Sequence, residues 1–293
     1  MSRRVRVLLI GGSGQLGREL LRVLPASDVV APPHAELDLR DGAAIARCVA
    51  GARADVVVNV AADNRVDAAE SDASSAEAIN GDAVGHLARA ATAADAFFVH
   101  GSTDYVFDGR ATTPYAEDAT PHPHGAYARS KRRGETLCAT FAPRHAIVRV
   151  AGLYAAGGSR GKGGSFVDKV LAQARDGRAL RVVDDQVTAP TWARDVAAAL
   201  ARLLPRWITG TAPPGVYHVT NAGACSWYEF ARATLAAAGL DVAVTPITTA
   251  SLGAAAPRPA YSVLANARLA AIGEPALQPW RDALAAHLAA NEA

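Results

Sequence analysis

Val5-Arg6-Val7-Leu8-Leu9-Ile10-Gly11-Gly12-Ser13-Gly14-Gln15-Leu16-Gly17 is the stretch from which the fold is read. Its aliphatic, β-branched first half has the composition of a buried strand. Arg18-Glu19-Leu20-Leu21-Arg22-Val23-Leu24 then continues with helical spacing of its apolar residues. Between the two, Gly11, Gly14 and Gly17 form G-x-x-G-x-x-G, and Gly12, Gly14 and Gly17 also satisfy G-x-G-x-x-G. Glycines here permit a tight turn, close approach of backbone N–H groups to a pyrophosphate and close packing of helix on strand, while the helix N-terminus favours negative charge. A glycine pattern alone is weak; placed between a first strand and an amphipathic helix it points to a dinucleotide.

Further strands and helices alternate. Asp28 to Ala31 reads as a second strand, and Pro32-Pro33-His34 at its end offers neither an acidic residue for a ribose 2′-hydroxyl nor an Arg pair for a 2′-phosphate. Arg18 is the nearest cation for such a phosphate, so NAD and NADP stay open. Asp38, in Leu37-Asp38-Leu39, either caps the helix near Asp41 to Val49 or reaches the adenine. Asp55 to Ala62 is a continuous apolar strand ending in small residues, over which a cofactor can pass. Ala76 to Ala94 reads as a helix carrying Asn80, and Ala96 to His100 as the next strand. The class is therefore α/β, with a Rossmann-type doubly wound parallel sheet over residues 1–150 whose ligands bind at the carboxyl ends of the strands. Residues 151–293 read as a smaller α/β lobe, mainly substrate-binding, with segments that can return to the core. The glycine-rich run 151–165, which includes Gly157, Gly161 and Gly164, reads as a mobile loop or lid.

Composition narrows the function. The 293 residues are 50% hydrophobic and 20% charged with a net charge of +2 and no long run of like charge, so neither nucleic acid nor a membrane surface is an expected partner. Cys48, Cys138 and Cys225 have no metal-like spacing and suit a reducing, cytoplasmic setting. The apolar run before Gly11 is too short for a signal peptide core or a membrane span. His122-Pro123-His124 is not a metal spacing, and no metal site is read from the residues.

Tyr127-Ala128-Arg129-Ser130-Lys131 places a phenol and an ammonium one helical turn apart on one face. Only three of the thirty basic residues are Lys, which makes the pairing more pointed. Gly14-Gln15-Leu16-Gly17, Val66-Asp67-Ala68-Ala69-Glu70, Ser102-Thr103-Asp104-Tyr105-Val106-Phe107-Asp108-Gly109, Tyr127 to Lys131 with Gly134-Glu135, Asp185-Gln186, Arg258-Pro259 and Pro279-Trp280-Arg281 together resemble the extended short-chain dehydrogenase/reductases, and within them the dTDP-4-dehydrorhamnose reductase family. The resemblance spans nearly the whole chain, and the Ser102 to Gly109 run is its most specific part.

That resemblance implies reduction of the 4-keto group of a nucleotide-linked 6-deoxy sugar by NADPH or NADH. Tyr127 would be the proton donor, Lys131 would lower its pKa and hold the nicotinamide ribose, and Thr103 would bind the carbonyl oxygen. Asp104 and Arg258 would join Thr103 at the substrate. The cofactor would lie on Gly11, Gly14, Gln15, Leu16, Gly17, Asp38, Leu39, Ala61 and Ala62 as well as on Tyr127 and Lys131. A homodimer and a structural Mg2+ belong to some relatives and are not readable from these residues. Related dehydratases place an Asp-Glu pair after the Thr, whereas Asp104 is followed by Tyr105, which argues against water elimination. An epimerase, a reductase for another sugar nucleotide and a non-catalytic NADP-binding regulatory subunit stay as alternatives. Gly152 stands where the family usually has a substrate-contacting Trp, so the sugar itself is open.

Overall fold

The computed structural model describes residues 4–158 and 163–292. The first half alternates as expected: β1 (Val7–Ile10), α1 (Gln15–Val23), β2 (Val29–Val30), α2 (Gly42–Ala52), β3 (Val56–Asn59), α3 (Ala83–Ala93), β4 (Phe97–Thr103), α4 (Ala126–Phe141) and β5 (His145–Val150). The second half adds α5 (Phe166–Arg175), β6 (Leu180–Val183), α6 (Ala193–Ile208), β7 (Gly215–His218), α7 (Trp227–Ala237), β8 (Val244–Ile247) and α8 (Trp280–Glu292), with shorter segments between.

Among the described residues six strands form one sheet in the order β7-β5-β4-β3-β1-β2, every neighbouring pair parallel. Strand periodicity divides β1 between two cores: Val7 and Leu9 pack with Leu16 and Leu20 of α1 and with Leu200, Leu203 and Trp207 of α6. Leu8 and Ile10 face the other way, onto Ile45 and Val49 of α2 and Val84 and Leu87 of α3. Both faces are thus covered, which is why β1 and β3 are apolar at nearly every position.

β7 and α6 come from the second half yet belong to this core, because β7 pairs with β5 and α6 packs on α1. The rest of that half forms a lobe around Phe166, Leu171, Phe230 and Trp280, with β6 and β8 as a parallel pair. Of the glycine-rich run, residues 159–162, with Gly161, lie outside the described residues. No helix of the described residues is long and apolar enough to cross a membrane.

The helix expected from Ala76 to Ala94 is present but not uniform: a six-residue π-helical segment, Glu77–Asp82, runs directly into α3. It turns Asn80, fully buried, toward α4 and the end of β3. Such insertions are common beside functional sites because the widened turn re-aims a side chain.

Candidate active site

A cleft of about 1100 Å³ lies at the carboxyl ends of β1, β3 and β4. The strand order reverses between β1 and β3, the place where an open parallel sheet leaves a crevice. Gly11, Gly14, Gln15 and Leu16 line one side of it. Gly11 has φ +90°, and a Cβ there would come 2.5 Å from the Ala61 backbone nitrogen. Gly17 lies beneath the turn, not on the cleft wall, and a Cβ on it would meet the Gly11 carbonyl oxygen at 2.1 Å. The turn therefore closes only with glycine at both places, and it leaves the N-terminus of α1 facing open space large enough for a pyrophosphate.

Ala61, Ala62, Asp38 and Leu39 also line the cleft. Asp38 does not cap α2; Asp41 does, its carboxylate accepting from the Ala43 and Ala44 backbone N–H groups at 2.9 and 3.0 Å. Asp38 is instead held by Arg40, with Nε 2.9 Å and a terminal nitrogen 2.7 Å from its two oxygens. That hydrogen bonding keeps the Asp38 carboxyl lowered to about 2. Arg18 is not free for a 2′-phosphate: it donates to the carbonyls of Ser13, Ala156 and Gly158 at 2.8 to 2.9 Å. It ties the glycine turn to the start of the 155–164 segment.

On the opposite wall α4 presents Tyr127 and Lys131, and the end of β4 presents Thr103 and Asp104. The Lys131 ammonium donates to the Gly101 carbonyl oxygen at 2.7 Å, and burial lowers its pKa to about 8. The Tyr127 hydroxyl meets Asn64 Oδ1 at 3.4 Å, and its ring packs edge-on against Tyr105. The expected downward pull of Lys131 on this phenol is not what governs it. Burial, then the charge of Asp104 and the neighbouring Tyr105, push the phenol up, with hydrogen bonding to Thr103 drawing it partly back. Tyr127 is a phenol that keeps its proton across the neutral range.

Asp104 sits under this group, 4% exposed, with Thr103 Oγ1 donating to Oδ1 at 2.9 Å. Burial pushes its carboxyl up to about 6 against hydrogen bonds from Ser262 and Thr103. The raised pKa means that its contribution to stability is fully present below the ordinary 3.8 and is lost as pH rises through about 6. Asp104→Asn removes the buried charge, so above pH 6 it is expected to stabilise the protein by roughly 2 kcal/mol, with the gain shrinking toward pH 4. Melting temperatures of the two proteins across pH 4 to 8 test this; a difference that does not change with pH contradicts it.

Arg258 is placed elsewhere. It lines a separate pocket of about 210 Å³ with Tyr105, His124 and Pro257, and pairs with Asp67 at 2.8 Å. Its neighbours Pro259 and Ser262 are the ones that reach the cleft. Other contributors carry no local sequence signal. Asn80 holds the Asp63 backbone on one side, at 2.8 and 2.9 Å, and Ser130 of α4 at 3.1 Å on the other, so it fixes α4 against the end of β3. Among the described residues no group of three or more His, Cys, Asp or Glu side chains could hold a metal ion.

Comparison with known proteins gives the family to which this fold and chain belong. Residues 5–292 match the family model described as RmlD substrate binding domain. A dTDP-4-dehydrorhamnose reductase from Streptomyces griseus is 43% identical over 96% of this chain and 92% of its own. The spore coat polysaccharide biosynthesis protein SpsK of Bacillus subtilis is 39% identical over 97% of this chain and 96% of its own. Among solved structures, a dTDP-4-dehydrorhamnose reductase from Bacillus anthracis in complex with NADP superposes with a TM-score of 0.92 at 30% identity, over 98% of this chain and 99% of that one. With the family model matching residues 5–292 and relatives this similar over nearly their full length, the chain belongs to the dTDP-4-dehydrorhamnose reductase family.

Proposed function

We propose that the chain reduces the 4-keto group of dTDP-4-dehydro-L-rhamnose to give dTDP-L-rhamnose, with NADPH or NADH as reductant. The observation that carries this reading is one cleft with a glycine cradle on one wall and Thr103, Tyr127 and Lys131 on the other. The family's reductases at about 40% identity over nearly the full chain support the same reaction.

The cradle fits a dinucleotide, since glycine at positions 11 and 17 lets the turn close tightly and Gly12 and Gly14 put no side chain into the space before the α1 N-terminus. Gly14, Gln15 and Leu16 would hold the pyrophosphate at the α1 N-terminus, with Asp38 and Leu39 at the adenosine end. Bound there, the reduced nicotinamide supplies a hydride to the keto carbon. With substrate bound, the Thr103 hydroxyl would turn its one hydrogen from Asp104 to the keto oxygen, and Tyr127 would deliver a proton to that oxygen as charge develops on it. A raised phenol pKa suits this direction: the donor stays protonated until it faces an alkoxide, which is far more basic than a phenolate. Lys131 keeps positive charge beside the reacting oxygen and positions the ribose.

The absence of a carboxylate at Tyr105 leaves no second acid–base group for elimination. The test is oxidation of NADPH and of NADH with dTDP-4-dehydro-L-rhamnose, with the sugar product identified by NMR. Stoichiometric dTDP-L-rhamnose is expected. Cofactor binding without turnover refutes the reading in favour of a binding role, and inversion at carbon without net oxidation of the nucleotide refutes it in favour of epimerisation.

A further inference from the structure

The short helical turn Ala68–Ser71 follows the cleft-lining residues 61–66 and has no part in the chemistry above, yet it lies against the helix that bears the proton donor. Ala69 is buried and packs with Ala126 and Tyr127 of α4. A carboxylate stands on either side of Ala69, and the two serve different segments. Asp67 accepts from the Ala256 backbone N–H at 3.1 Å and from Arg258 at 2.8 Å, so it holds the 256–258 segment. Glu70 reaches in from the surface and accepts from the Ala126 backbone N–H at 2.5 Å.

That contact supplies what α4 lacks. The first turn of a helix leaves backbone N–H groups without intrahelical partners, and a Ser, Thr, Asp or Asn at the N-cap ordinarily takes one of them. The N-cap of α4 is Gly125, which has no side chain to offer, and the first turn of α4 holds no acidic residue. Ala126 is itself 5% exposed, so its N–H has little water to fall back on. Gly125 has φ +84°, and a Cβ there would come 2.7 Å from Glu70 Oε1 and 3.1 Å from Pro257. Glycine at this position therefore admits a carboxylate from 56 residues before Ala126 into the place a local cap would fill. Its negative charge also suits the N-terminal end of the helix dipole.

Tyr127 is the second residue of α4, directly after the capped amide. Lys131 lies a turn deeper, and its ammonium is tied to Gly101 of β4. The Tyr127 hydroxyl meets Asn64 at a long 3.4 Å, so the height of the phenol over the cleft follows from where the helix begins.

We infer that Glu70 is a positioning residue for the proton transfer: by capping α4 from outside, it fixes the first turn of the helix and so the place of the Tyr127 hydroxyl at the keto oxygen. Glu70 is not among the residues that line the cleft, and it acts through Tyr127. The inference rests on the proposed function in taking Tyr127 as the proton donor.

The test uses Glu70→Ala and Glu70→Gln in the full-length protein, alone and combined with Tyr127→Phe, assayed well below their melting temperatures. Glu70→Ala is expected to lower kcat for keto-sugar reduction by about 10–100-fold, the scale of a misplacement of up to an ångström, with KM for NADPH unchanged. Glu70→Gln, whose amide oxygen still accepts from Ala126, is expected to recover kcat to within about fivefold of the parent, having lost the charge at the helix end. On the Tyr127→Phe background Glu70→Ala is expected to cost nothing more, because the group it places is gone; a further loss of similar size there means a general loosening of the site and overturns the inference. An unchanged kcat in Glu70→Ala, beside a Tyr127→Phe protein that has lost its rate, overturns it alone and leaves the proposed reaction standing. Hydrogen exchange followed by NMR reads the cap without turnover: the Ala126 amide is expected to exchange about tenfold faster in Glu70→Ala, the scale of one lost cap, and near the parent rate in Glu70→Gln. Unchanged exchange in Glu70→Ala overturns the inference even where the parent reduces no keto sugar, an outcome that by itself overturns the proposed reaction.

Discussion

Tyr127→Phe is expected to lower kcat for keto-sugar reduction by about 10²–10⁴-fold, the range attributable to a positioned acid, while NADPH binding and the melting temperature stay near those of the parent. The ring is what the fold uses, packed edge-on against Tyr105 and buried with Ala69, Ala76 and Ala126. The hydroxyl's contact with Asn64 is long, at 3.4 Å, so its removal costs the fold little. Chemistry and stability therefore separate at this residue. Single-turnover oxidation of bound NADPH is the decisive measurement, because it removes product release from the comparison. A Phe variant within threefold of the parent would mean that another group gives the proton.

The second large effect is on folding. Glu135 lies one turn beyond Lys131 on α4, essentially without solvent contact, and its two oxygens receive Arg149 Nε and a terminal Arg149 nitrogen, both at 2.8 Å. Ser102 Oγ adds a hydrogen bond at 2.6 Å and Arg132 another at 2.9 Å. Burial works to raise the Glu135 pKa, yet the hydrogen bonds and charge of Arg149, with Ser102 and Arg132, hold it below the ordinary carboxylate value. Glu135→Gln leaves Arg149, itself 1% exposed, as an uncompensated buried cation. The expected loss is about 3–5 kcal/mol, the cost of removing one partner of a buried pair. That corresponds to a melting temperature lower by roughly 5–8 °C for a chain of this size.

The sign with pH follows from the depressed pKa. The stabilisation is present above the carboxylate's unfolded value and is lost as pH falls through the folded one, so parent and variant converge on acidification. A melting-temperature difference that persists undiminished into acid would place the effect in packing and not in the ion pair. Because Ser102 precedes Thr103 and Glu135 follows Lys131, this pair also sets how β4 and α4 meet at the site.

How much of this could be read from residues alone follows from the range of the interactions. The strand, glycine turn and helix from Val7 to Val23 are local, so composition and spacing suffice for them. The same holds for Tyr127 and Lys131, whose common face is a property of any helix. The π-helical turn at Asn80 is not legible, since apolar spacing does not tell an i+4 ladder from an i+5 one. Asp38 and Asp41 are three residues apart before the same helix, and either could cap it until the chain's path is known. Arg258 is held by Asp67, 191 residues away in sequence, and Arg18 by carbonyls of the 155–164 segment, pairings that no local pattern encodes. The influences on Tyr127 are hidden for a related reason: helical spacing reveals Lys131, whereas burial and the charge of Asp104 arise only on folding.

The crossing of β7 into the sheet bears on how this protein could be taken apart. Cutting after residue 150 looks like a clean division between a cofactor half and a substrate half, but it would strip β5 of the neighbour that pairs Ala146 to Arg149 with Gly215 to His218. The N-terminal fragment would then present a bare row of amide and carbonyl groups on a flat, apolar strand, the template on which foreign strands add. It would also lose α6, and with it the cover over α1. Lobes of this family are therefore poor modules for exchange at that boundary; a chimera that keeps α6 and β7 with the cofactor half, and trades only α5, β6, α7 and β8, respects the way the sheet is closed.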